Sequence, residues 1–214
     1  MTAEPFSRET VRGFLHRPAG EARDALVLTH GAGGNCHSPL LVSISEAIAA
    51  AGWLVLRCNL PYRQQRPSGP PRPGDAARDR QGLRQAIAAM RSVAPGRIFL
   101  GGQSYGGRQA TLAAAEDPEL TRGLLLLSYP LHPPGKPDQP RTDHFPRLRS
   151  PALFAHGSRD PFGTLEEVRA AITLIPAWTE LLVIDNAGHD LRARNSACAV
   201  VTAFLKFAEG TDAL

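Results

Sequence analysis

Gly101-Gly102-Gln103-Ser104-Tyr105-Gly106-Gly107 is the stretch on which the fold turns. It follows the apolar run Arg97-Ile98-Phe99-Leu100 and leads into a helical pattern over residues 108–116. Its Gly-x-Ser-x-Gly core, set between a strand and a helix, calls for a sharp turn. Such a turn forces the serine into a strained backbone conformation, and glycines flank it because a Cβ there would clash. The serine hydroxyl is then held above the sheet edge, at the N-terminus of the following helix. Five residues of this kind arise by chance; the strand–turn–helix setting makes them specific.

Outward from this turn, short apolar runs alternate with helical patterns. Residues 25–28, 53–58, 97–100, 124–127, 152–155 and 181–184 read as strands, with residues 10–16 as an added edge strand. Residues 38–51 read as a helix with Leu40, Ile44 and Ile48 on one face, and residues 75–93 as another with Leu83, Ile87 and Met90 at helical spacing. Residues 164–175 and 196–209 complete the helices, the former with Glu166 and Glu167 in its first turn, where the dipole favours acid. Continuous apolar strands alternating with helices specify an α/β fold. Its sheet is mostly parallel, of about six or seven strands, with helices on both faces. Right-handed crossovers put the strand C-termini on one edge, where chemistry belongs. Two proline-rich stretches, residues 59–74 and 129–151, leave that edge and are expected to rim a site. No repeat and no second domain is visible, so residues 1–214 read as one domain.

Composition narrows the function classes. The 214 residues are 43% hydrophobic and 21% charged, the balance of an ordinary globular chain. A net charge of +4 comes from scattered arginines with no recognition motif, which argues against a nucleic-acid partner. Cys36, Cys58 and Cys198 show neither a complete disulfide framework nor metal spacing. The start Met1-Thr2-Ala3-Glu4-Pro5 has no apolar leader, and no run approaches the roughly 18 apolar residues of a membrane span. The expectation is a cytoplasmic protein without a membrane partner.

A serine hydroxyl needs a base, and the base needs a carboxylate to hold its tautomer. His189, in Asn186-Ala187-Gly188-His189-Asp190, follows the last strand; Asp160, in His156-Gly157-Ser158-Arg159-Asp160-Pro161, follows the penultimate one. The order Ser104, Asp160, His189 is the chain order of α/β-hydrolases, and all three lie just past strand C-termini. Asp185 and Asp190, near His189 in sequence, and Asp143, in a loop, compete for the acid role. An oxyanion hole needs two backbone N–H groups. Tyr105 would supply one, and the turn His30-Gly31-Ala32-Gly33-Gly34 the other, from Ala32 with Gly33 second.

Several motifs together resemble the KANL3/Tex30-type alpha/beta-hydrolase-like family, related to dienelactone hydrolases. They are His30-Gly31-Ala32-Gly33-Gly34, Asn59-Leu60-Pro61-Tyr62, Gly102-Gln103-Ser104-Tyr105-Gly106-Gly107-Arg108, the stretch from Tyr129 through Pro133-Pro134-Gly135-Lys136, and Gly157-Ser158-Arg159-Asp160-Pro161-Phe162-Gly163. The resemblance implies a compact α/β-hydrolase fold without a substantial lid, and Ser104, Asp160 and His189 at the triad positions. It supplies no substrate. Some eukaryotic relatives serve as complex subunits, which keeps a non-catalytic binding or scaffold role as the alternative. Dienelactone hydrolases proper carry cysteine where this chain has Ser104.

The sequence thus points to a serine hydrolase for a small-molecule ester or thioester, needing no metal and no organic cofactor, as a monomer or homodimer. Tyr105 is expected to line the acyl pocket, and Gly33, Tyr62, Phe162 and His132 to contact substrate. His30 and His156 read as structural. Cys36 and His37 are adjacent and cannot readily aim at each other. Arg63, Arg66 and Arg108 are either anion-binding or simply solvated.

Overall fold

A computed structural model describes residues 3–94 and 96–213. The chain opens with an antiparallel hairpin of β1 (Glu4–Arg8) and β2 (Val11–His16). There follow β3 (Ala25–Thr29), α1 (Pro39–Ala50), β4 (Leu54–Cys58), α2 (Pro61–Gln65), α3 (Asp75–Arg91), β5 (Ile98–Gln103) and α4 (Tyr105–Glu116). The rest comprises β6 (Leu124–Leu127), β7 (Ala152–Gly157), α5 (Leu165–Ile172), β8 (Thr179–Ile184) and α6 (Ser196–Gly210). The eight strands form one sheet in the order β1-β2-β4-β3-β5-β6-β7-β8, parallel from β4 to β8 and antiparallel through β2 and β1.

Alternate side chains of each strand point to opposite faces, so a strand covered on both sides must be apolar throughout. In β3, Val27 joins Leu83, Ile87 and Met90 of α3 and Ala110 of α4 on one face. Leu26 and Leu28 join Leu41, Ile44 and Ile48 of α1 and Phe204 of α6 on the other. Trp53, Phe99 and Phe204 meet there with ring centroids 5.2–5.5 Å apart, within the range of favourable aromatic pairs. The inward stripe of α1 centres on Leu41 rather than Leu40, which is only half-buried.

The expected parallel sheet and flanking helices are present; the strand expected at residues 10–16 is β2, but it is not the edge, because β1 adds one strand more on its outer side. β1 reads EPFSR and is exposed along most of its length, so no apolar run marks it; pairing to β2 across a tight turn makes it a strand. α2 was likewise not expected, because it is five residues long and lies in a proline-rich stretch, with Pro61 opening its first turn. Among the described residues no helix is long and apolar enough to cross a membrane.

The strand order fixes where a site can form. After β3 the chain crosses to β4 on one side and then to β5 on the other, so the turns after β3 and β5 part at the sheet's C-terminal edge. Thr29 pairs with Gly102, which sets the turn beginning at His30 directly beside Gln103 and Ser104.

Candidate active site

Ser104 sits between β5 and α4 with φ 50° and ψ −116°, a conformation that costs a non-glycine residue on the order of 1–3 kcal/mol. Bonds on both sides hold it: its N–H donates to the Leu127 carbonyl at 2.8 Å, and its own carbonyl accepts the Arg108 N–H at 3.0 Å. Gly106 must lack a side chain, since a Cβ there would lie 2.5 Å from the His30 carbonyl oxygen. That close approach brings α4 and the turn after β3 together.

His189 and Asp160 come from the turns after β8 and β7. The Ser104 Oγ lies 2.7 Å from His189 Nε2, and His189 Nδ1 lies 2.8 Å and 3.0 Å from the two Asp160 carboxylate oxygens. The carboxylate accepts from Nδ1–H, which leaves the Nε2 lone pair facing the serine hydroxyl. Asp160 is buried, and its Oδ1 also accepts the Phe162 N–H at 2.9 Å. The Phe162 ring stacks on His189 with centroids 4.0 Å apart. Gly157 allows the two turns to meet: a Cβ there would lie 2.4 Å from the Ala187 carbonyl oxygen.

The competing acids lie elsewhere. Asp185 and Asp143 are exposed, and Asp190 is exposed and paired with Arg192. His156 is buried beside Asp160 but spends Nε2 on the Gly163 carbonyl at 2.8 Å.

The turn after β3 is braced from below. His30 donates from Nδ1 to the Gly31 carbonyl at 2.9 Å and accepts the Leu60 N–H at Nε2 at 3.1 Å. Burial pushes its pKa down to about 4, helped by the Arg63 charge and opposed by the bond to Gly31. The Ala32 carbonyl accepts the Tyr62 hydroxyl at 2.8 Å and an Arg63 N–H at 3.1 Å, and Arg63 Nε donates to the Gly34 carbonyl at 2.7 Å. Beneath them, buried Asp79 accepts the Tyr62 N–H at 3.0 Å and the Tyr105 hydroxyl at 2.7 Å. Burial raises the Asp79 carboxyl and the Tyr105 phenol above their ordinary ranges.

A cleft of about 590 Å³ opens over these groups, lined by Ala32, Gly33, Tyr105, Phe162, Ser104 and His189 among others. Pro70, Pro71, Pro130 and Arg141 bring both proline-rich stretches to its rim. Gln103 separates it from a second hollow of about 540 Å³ bounded by α1 and residues 190–197.

Two expected substrate contacts are corrected. Tyr62 is completely buried, because its hydroxyl is drawn under the turn by the Ala32 carbonyl, so it supports the cleft without lining it. His132 is buried between the Pro133 carbonyl (2.8 Å) and Glu167 (3.3 Å), away from the cleft lining. Cys36 is buried and His37 packs edge-on to Phe14 at 4.9 Å, so neither faces the cleft. Arg66 pairs with Asp75, while Arg108 does line the cleft. Reasoning from sequence missed Asp79 and Arg141. Asp79 had a signal: it precedes Leu83 and Ile87 at four-residue spacing, which puts a carboxylate on the apolar stripe of α3.

A family model described as an alpha/beta hydrolase domain matches residues 22–208. Among solved structures, the chain is similar to a dienelactone hydrolase from Anabaena variabilis, at 19% identity over 97% of this chain and 98% of that one, with a TM-score of 0.76. It is similar to Est1E from Butyrivibrio proteoclasticus, at 16% identity over 97% and 99% of the two chains, with a TM-score of 0.75. It also resembles DcsB, solved with its substrate analogue, at 17% identity over 98% and 100%, with a TM-score of 0.80. At these identities the neighbours establish the fold, and the match over residues 22–208 establishes that the chain belongs to the alpha/beta hydrolase domain family.

Proposed function

We propose that this protein is a serine hydrolase that cleaves a small carboxylic ester or thioester through an acyl-enzyme. The observation that carries this reading is the continuous relay from Ser104 Oγ to His189 Nε2 at 2.7 Å and from His189 Nδ1 to Asp160 at 2.8 Å. These are hydrogen-bond distances suited to proton transfer. Ser104 attacks the carbonyl carbon as its proton passes to His189 Nε2, and Asp160 stabilises the imidazolium. The carbonyl oxygen, now negative, is met by the N–H groups of Tyr105 and Ala32, with Gly33 beside them. Collapse of the tetrahedral adduct expels the alcohol or thiol, which takes the proton from His189. Water then enters, gives a proton to His189 and attacks the acyl carbon; the acid leaves and Ser104 regains its hydrogen. Apart from the substrate and this water, every step uses groups of the chain itself, without a cofactor.

The bracing of the turn after β3 supports the same reading. Tyr62 and Arg63 hold the Ala32 and Gly34 carbonyls, which keeps the peptide dipoles of the turn in a fixed orientation before substrate arrives. Phe162 over the imidazole limits the motion of His189.

Purified protein offered 4-nitrophenyl acetate and butyrate should turn both over, and a fluorophosphonate should label Ser104. Ser104→Ala should lower kcat/KM by about a thousandfold or more and abolish labelling. Absence of both turnover and labelling in the unmodified protein would sink the proposal in favour of a binding role.

A further inference from the structure

Among the described residues, the cationic side chains that line the cleft are Arg108 and Arg141, and no carboxylate lines it. Arg108 lies on α4 four residues beyond the nucleophile, about 6 Å along the axis. Arg141 comes from the stretch between β6 and β7, and its backbone is fixed. Its N–H donates to the Leu131 carbonyl at 2.8 Å and its carbonyl accepts the buried Tyr129 hydroxyl at 2.7 Å.

Elsewhere the partly buried arginines find protein acceptors: Arg57 donates to His16 Nε2 and the Cys36 carbonyl, Arg63 donates to backbone carbonyls, and others find acids. Asp75 takes Arg66 and Arg78, Glu116 takes Arg80 and Arg84, and Asp24 takes Arg97. Among the described residues Arg108 and Arg141 make no ion pair. The Arg108 Nε is buried without a hydrogen-bond partner. Burial and then the Arg108 charge lower the Arg141 guanidinium from its ordinary value, against an opposing contribution from Tyr129. Nearby His144 is held neutral, its pKa pushed down to about 4 by burial and then by Arg108 and Arg147, so it adds no counter-charge. An oxyanion between the two guanidiniums would take up the unpartnered Arg108 Nε–H and offset the repulsion that Arg141 feels from Arg108. Guanidinium groups match the geometry of carboxylate and phosphate oxygens.

We propose that the substrate carries an oxyanionic group, a carboxylate or a phosphate, held between Arg108 and Arg141 while its ester or thioester carbonyl lies at Ser104. The inference rests on the hydrolase reading for the position of the carbonyl. It makes the enzyme selective for short, negatively charged esters over neutral ones of the same length.

The test compares 4-nitrophenyl esters of adipate, of 5-phosphonopentanoate and of the neutral 5-carbamoylpentanoate, which separates carboxylate from phosphate chemistry on the acyl side. A second pair, 4-acetoxybenzoate against 4-acetoxybenzamide, places the charge on the alcohol side. The expected result is a kcat/KM about tenfold or more higher for an anionic member than for its neutral partner in at least one set. In Arg108→Gln and in Arg141→Gln, each checked for an unchanged unfolding temperature, that ratio should collapse towards one. Ratios near one in both sets for the unmodified protein, with the neutral esters hydrolysed, overturn the inference and leave the hydrolase standing. A preference that survives in both variants also overturns it. If no ester is turned over and Ser104 is not labelled, the hydrolase reading falls. Calorimetric titration with adipate and with 5-phosphonopentanoate then decides the anion site directly: binding weakened about tenfold by either substitution supports it, and no binding overturns it.

Discussion

Of the four aspartates that compete for one imidazole in the sequence, only Asp160 reaches His189 Nδ1, and it does so from a buried position with a backbone N–H holding its second oxygen. The proposed role therefore makes a sharp prediction. Asp160→Asn should leave the fold intact, because the amide oxygen can still accept the Phe162 N–H. It should nevertheless lower kcat by roughly ten-thousandfold through the wrong His189 tautomer. Asp185→Asn and Asp190→Asn should leave steady-state rates within about twofold; a large loss in either, measured on the same ester, would move the acid role away from Asp160. Spacing alone could place Ser104, Asp160 and His189 past strand ends, because turn chemistry and strand order are local features. Spacing could not reveal that Asp185 and Asp190 point to solvent, since the outward direction of a turn residue depends on backbone contacts such as Arg159 N–H to the Ala187 carbonyl.

At the scale of elements, the site is a junction of α4 with the turns after β3, β7 and β8, and glycines make the junctions possible. Gly106→Ala would push a Cβ to 2.5 Å from the His30 oxygen and 2.7 Å from Thr29 Cγ2, both on the neighbouring strand end. Urea unfolding should show a loss of about 2–4 kcal/mol, together with a lower kcat/KM from displacement of the turn after β3. A variant as stable and active as the parent would contradict this close packing. The elements that escaped sequence reading are those with weak local signals. β1 has no buried run, and α2 is too short to show a period; both are made by what they pair with or stand on. The same applies to Tyr62. Its position in Asn59-Leu60-Pro61-Tyr62 suggests a rim residue, whereas α2 turns it under the floor of the cleft, against Tyr105 at 5.8 Å.

For the whole molecule, proton binding sets how stability follows pH. His16, His30 and His144 are each buried neutral, with pKa values pushed down to about 4, mainly by burial. The unfolded chain, with ordinary histidines near 6.5, then binds more protons than the folded one between about 6.5 and 4. Stability from these groups is complete above that window and falls as the pH drops through it, by on the order of 1–3 kcal/mol per histidine. Asp79 acts in the opposite sense: burial raises its carboxyl, so the folded state is the better proton acceptor there, and its contribution is lost as pH rises through that raised value. Because three histidines outweigh one carboxyl, the urea midpoint should decline from pH 7 to pH 4.5, and His144→Gln should flatten the decline. A midpoint that stays level or rises on acidification would refute this balance. The sequence reads His30 as structural, but how deeply each of the three is buried is decided by distant partners such as Leu60 for His30 and Thr111 for His144, which spacing does not show.

The left-handed backbone at Ser104 also bears on how such a chain changes over generations. Glycine adopts that conformation without strain, so the exchange of Ser104 for glycine is a step that selection for stability alone would favour. Under the nucleophile role proposed above, a pressure to keep the hydroxyl opposes that step. A lineage released from that pressure drifts towards glycine at this position before it loses the fold, and the residue found there serves as a running record of whether the cleft is still in use.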